Sequence, residues 1–172
     1  MRRLVLSAVL ICCGAASFGQ SARSESSAFG ISPATQEFVT RTTQAEMLEV
    51  QSSQLALMRA GNDRTKAFAR RTLEGRETAN ELKALILNGQ VRAIAPLFLG
   101  KKNAEQIDRL WNLEGPDFTQ AYNDLQVALQ KDAVSLFERY ARDGDSAELK
   151  AFAARHLSEL RQQLQQAEEL EK

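Results

Sequence analysis

The chain has 172 residues, 22 Lys+Arg against 22 Asp+Glu, one His and a net charge of zero. That length suffices for one domain with a real core, and the balanced charge excludes the basic excess expected of a nucleic-acid-binding protein. Three prolines in the whole chain, with Gln, Ala, Leu, Glu and Arg dominant, mark a helical composition.

Residues 1–19 read as an export signal. Arg2 and Arg3 supply a positive start, LVLSAVLICCGAA (4–16) a short apolar run, and Ala15, Ala16, Ser17 and Gly19 the small residues of a cleavage site. The run is too short to span a membrane. A lipoprotein signal wants a small residue before its cysteine, and Ile11 before Cys12 does not fit. Both cysteines leave with the signal, so the mature chain folds on packing alone. The expected location is the periplasm, or another exported compartment of a bacterium, with no transmembrane helix after signal removal.

Residues 20–31 (QSARSESSAFGI) are Ser-rich and aperiodic, a flexible polar leader. The domain expected over 32–172 begins at Ser32-Pro33, a hydroxyl cap followed by proline at the first helical position. Helix one runs to about Ala60, where Gly61 stops it. Helix two starts at Asn62 or Asp63 and runs unbroken to about Leu87, giving a first hairpin over 32–88. A crossover follows over 89–114. Its segment VRAIAPLFLG (91–100) is expected to be extended and pressed on the bundle, and KNAEQIDRLWNL (102–113) to form a short helix. Gly115-Pro116-Asp117 starts helix three, which ends near Arg142. Asp145 with Glu148 is read as a capping box for helix four, closing a second hairpin over 115–172.

The hairpins look like copies of each other. KAFARRTL (66–73) and KAFAARHL (150–157) each follow a glycine-containing break. Apolar rows run at alternating steps of three and four. Helix two carries Phe68, Thr72, Gly75, Ala79, Leu82 and Ile86. Helix three carries Phe118, Tyr122, Leu125, Leu129 and Leu136, flanked by Val127, Gln130, Val134 and Phe137. Helix four carries Leu149, Ala153, His156, Leu160, Gln163, Ala167 and Leu170. Such faces need partners. Two hairpins joined by a connection long enough to run the length of a bundle give an all-α, ferritin-like four-helix bundle with a partly helical crossover.

MLEVQSSQLAL (47–57), TKAFARR (65–71), ANELKAL (79–85), FTQAY (118–122), AVSLFERYA (133–141) and AELKAFA (147–153), in this order and spacing, resemble the domain of unknown function 4142 family. The resemblance covers nearly all of residues 34–170. It implies an exported, ferritin-like bundle with an Asp-His pair in the second helix, another in the third, a His in the fourth and a Glu from the first, a set that looks like metal ligands. Here Glu49 keeps the first-helix carboxylate. Glu74-Gly75 and Leu129-Gln130 stand at the two pairs and Gln163 at the fourth-helix His, so this chain is a divergent member without the expected histidines. Glutamine is a poor transition-metal ligand, and Gln130 and Gln163 are expected to satisfy each other or nearby backbone.

The expected function is a non-enzymatic structural or interaction role with an unidentified protein partner in the cell envelope, around a degenerate metal site and with no cofactor. The alternative is a ferritin-like metal-binding or redox protein holding a divalent metal ion on Glu49, Glu74 and His156. His156, the lone histidine, is otherwise a core residue held by a hydrogen bond, and Trp111 is read as stapling the crossover to the bundle.

Overall fold

The computed structural model describes residues 30–172. The expected signal over 1–19, and the leader up to residue 29, lie outside the described residues. Ile31, assigned to the leader from sequence, is buried at the base of the bundle. The described chain is an all-α helical bundle of six helices: α1 (Pro33–Arg59), α2 (Asp63–Glu74), α3 (Glu77–Leu87), α4 (Lys101–Trp111), α5 (Gly115–Asp143) and α6 (Ala147–Glu169).

The helix starts follow the sequence signals. The Ser32 hydroxyl accepts from the Thr35 amide ahead of Pro33, and the Asn62 side chain accepts from the Thr65 amide. Gly115, at φ 56°, takes a left-handed conformation that favours glycine and leads Pro116 into α5. The α6 cap differs from expectation. Ser146, one residue later, caps the Leu149 amide. Asp145 instead accepts from the hydroxyls of Thr35, at 2.7 Å, and Tyr140, at 3.1 Å, and from Ser32. It binds the start of α1 to the α5–α6 turn, where a carboxylate can gather several donors at once.

The expected second helix is broken. α2 ends at Glu74 and α3 begins at Glu77, with Gly75 at φ −83°, ψ 82° between them. Glycine loses the most backbone freedom in a helix. The Thr72 hydroxyl also returns to the Phe68 carbonyl, a bond that bends helices. The Gly75 amide closes the end of α2 on the Arg71 carbonyl.

Contacts between α1 and α5 fix the direction of the bundle. Thr35 meets Tyr140, Glu49 meets Gln130, Ser52 meets Gln126 and Ser53 meets Tyr122. One number rises as the other falls, so the helices are antiparallel. Each hairpin reverses direction, so α2–α3 and α5 run the same way, and the crossover must return the whole length of the bundle. It does so along α1. The Ile94 backbone exchanges two hydrogen bonds with Gln36, Asn103 reaches the Gln44 carbonyl, and Glu114 pairs with Arg59.

Val91 and Leu110 anchor this crossover in the core. The segment is not pressed flat as expected, since Ile94, Leu97 and Phe98 are exposed, the last two at 81%. Trp111 is also exposed. It is held from outside by the Arg59 guanidinium, 4.8 Å from its ring.

Apolar side chains form two clusters, one per end. Phe38, Phe137, Tyr140 and Phe152 dominate one, and Phe68, Phe118 and Tyr122 the other. The repeated segment feeds both: Phe68 and Ala69 go to one end, Phe152 and Ala153 to the other.

Candidate functional site

Between the two clusters the interior changes character. α5 presents Asn123, Gln126 and Gln130, all buried, at steps of three and four that align them on one face. α1 meets Gln126 and Gln130 with Glu49 and the fully buried Ser52 and Ser53, whereas Asn123 accepts from Thr65 and donates to the Leu170 carbonyl, nearer the Phe118 end. Gln126 donates to the Ser52 hydroxyl at 3.1 Å, and the Ser53 and Tyr122 hydroxyls share a 2.9 Å bond. Gln130 Nε2 donates to Glu49 Oε1 at 2.8 Å.

A cavity of about 340 Å³ opens beside this polar layer. Glu49, Gly75, Leu129, Gln130 and Gln163 all line it. Five of the six positions that the resemblance singles out therefore meet at one space, and Glu74, which is exposed, stays outside. Phe68, Leu136, Phe137 and Leu160 supply apolar wall; Glu46, Arg71, Arg76 and Lys102 add charge. Gln130 and Gln163 do not satisfy each other. Gln163 donates to Glu159, at 3.1 Å, one turn earlier on its own helix.

Glu49 is the unusual group. Its Oε1 accepts from Gln130, no hydrogen bond reaches its Oε2 from the described residues, and Glu49 lines the cavity. Burial first, and the negative charge of Glu46 second, push its carboxyl from 4.5 up to about 7, against the weaker downward pull of the Gln130 bond. Burial likewise holds the Tyr122 hydroxyl well above its ordinary range.

His156 belongs to a different constellation. Its Nε2 lies 2.9 Å from Glu81 Oε2, its Nδ1 3.0 Å from the Thr78 hydroxyl, and its ring packs on Phe152. Glu81 also pairs with Arg155. Burial alone would raise the Glu81 carboxyl, but the bonds from His156 and Arg155 outweigh it and hold it below the ordinary carboxylate range.

Glu49, Glu74 and His156 are thus not one ligand set, because Glu74 faces solvent and His156 is engaged by Glu81. Among the described residues no three His, Cys, Asp or Glu side chains are placed to share a metal ion. With carboxamides and glycine at the other aligned positions, the residues present do not fit the metal that the resemblance implies.

Sequence reasoning missed Ser52, Ser53, Asn123 and Gln126. The signal was available in α5, where three polar residues share the spacing of an apolar row. In the comparisons, the family model described as a domain of unknown function (DUF4142) matches residues 20–170. No curated protein and no solved structure matches the chain.

Proposed function

The chain belongs to the domain of unknown function 4142 family, and from that premise we propose an exported, non-enzymatic bundle that holds a small organic ligand in its central cavity and acts through a protein partner in the cell envelope. The observation that carries this reading is the cavity itself, framed by Glu49, Gly75, Leu129, Gln130 and Gln163. Its volume lies at the small end of the range for ligand pockets, and its mixed wall suits a molecule with one polar end.

A binding role is favoured over catalysis by how the polar groups are used. The Ser52 and Ser53 hydroxyls face an amide and a phenol rather than a base, so neither is set up as a nucleophile. Export is read from the sequence alone: the Arg2-Arg3 start, the apolar run over 4–16 and the small residues Ala15, Ala16, Ser17 and Gly19. No helix among the described residues is long and apolar enough to cross a membrane.

Fractionation and intact mass test export. The processed chain is expected in the periplasm, and an unprocessed cytoplasmic chain refutes it. Amide shifts on adding small fragments test ligand holding. Shifts should centre on Glu49, Gly75, Gln130 and Gln163, and a cavity that answers to no fragment of any charge ends the reading. Stoichiometric iron, manganese or zinc in protein purified without chelator would also end it, in favour of a metal-binding protein.

A further inference from the structure

Among the described residues Glu49 has no cationic partner. Of the basic side chains that line the cavity, Arg76 of the α2–α3 junction pairs with Glu46, and Arg41 of α1 pairs with Glu37. Arg71 of α2 and Lys102 of α4 are exposed, at the outer part of the space. α5 adds one further charge, Asp132, and α6 adds only Gln163, Gln166 and Leu160. A carboxylate placed among apolar groups is costly unless something pairs with it.

The acceptors left without a partner among the described residues belong to side chains that line the same space. Glu49 Oε2 is unengaged. Gln163, with its nitrogen committed to Glu159, leaves its carbonyl oxygen without a partner on the α6 wall. An ammonium group carries three N–H donors and no acceptor, so it matches such a wall. A metal ion would need further anionic or imidazole ligands, and no third one converges here.

We infer that the cavity takes a small organic ammonium ion, its charged head on Glu49 Oε2 and its short apolar body against Phe68, Leu136 and Phe137. This rests on the ligand-binding reading above and adds the ligand's chemistry. The Gln130 bond holds the carboxylate in place, leaving one oxygen turned to the ligand. Because Glu49 protonates near neutrality, the cation competes with a proton, and binding tightens as pH rises through that range.

Calorimetric titration of the purified protein with hexylammonium chloride, 1-hexanol and sodium hexanoate tests this. At pH 8 hexylammonium should bind at least about tenfold more tightly than the alcohol, and hexanoate more weakly still, given the unpaired carboxylate. Lowering the pH to 6 should weaken hexylammonium about tenfold, since one proton competes for one site. Glu49→Gln should abolish the preference for the amine, with a cooperative melt showing that the variant is folded. Hexanol or hexanoate binding as tightly as the amine, an unchanged Glu49→Gln, or displacement of hexylammonium by an equal concentration of manganese(II) would each overturn the ammonium assignment. If none of the three hexyl compounds binds, both this inference and the ligand-binding reading fall.

Discussion

Around Phe38, Phe137, Tyr140 and Phe152, rings meet at centroid distances between 4.2 and 6.3 Å, and no ring residue is more than 5% exposed. Further along the same helices, Glu49, Gln130 and Gln163 border open space. The first region is what heptad rows build when every knob finds a hole. The second keeps the helical frame but gives up density and pairs polar groups incompletely, with Gln126 Oε1 and Gln130 Oε1 buried without partners. Such costs are tolerated where a site, rather than stability, is the benefit. The two regions should therefore answer mutation in opposite senses.

The largest expected effect is in the packed end. Phe152→Ala, which empties a fully buried ring position shared by three aromatic neighbours, should lose about 3–5 kcal/mol in denaturant unfolding. A loss under about 1 kcal/mol would mean that this end is not densely packed after all.

In the middle the sign reverses. Between pH 4.5 and about 7, native Glu49 keeps a proton that the unfolded chain has released. Stability should therefore fall across this window, by on the order of 3 kcal/mol at most, and then level. Glu49→Gln removes that penalty. Its unfolding free energy should exceed that of the parent at pH 8, by on the order of 2 kcal/mol, and match it at pH 4. A variant less stable at pH 8 would show that the carboxylate is compensated within the fold.

Glu81 sharpens the contrast because it is a carboxylate with its partners present. Its lowered pKa means a contribution that exists above the ordinary carboxylate range and is lost as pH falls, the opposite slope to Glu49. Glu81→Gln should cost about 1–2 kcal/mol at pH 7 by weakening the bonds to His156 and Arg155. The smallest effect belongs outside both regions. Leu97→Ser and Phe98→Ser should change stability by less than about 0.5 kcal/mol, because neither side chain is covered.

Much of the frame was legible in the sequence. Pro33, Gly61 and the Gly115-Pro116 pair punctuate the helices for stereochemical reasons that act locally, and the paired KAFA segments gave the hairpins. The break at Gly75 was not legible, since one glycine on an apolar row is compatible with a continuous helix and only the neighbouring bonds decide. Asp145 was misassigned because two adjacent residues both qualify as caps and the choice depends on Thr35, distant in sequence. The aligned positions Glu49, Gln130 and Gln163 could be named in advance. The space between them could not, because a cavity is a residue of volume left by all neighbours together. Nor could the separation of His156 from Glu49, which depends on Glu81 reaching it from the second helical segment.

The interruption after Glu74 has a kinetic consequence. A continuous helix unravels from its two ends, whereas a divided one offers four, and Arg76 provides no side-chain cap for the second piece. Amide hydrogens at 77–79, the uncapped donors that open α3, should exchange with solvent fastest within the first hairpin's second arm, at its midpoint, where an unbroken helix would protect them longest. Deuterium uptake resolved by residue would locate this midpoint opening beside the cavity wall, well before the aromatic end lets go.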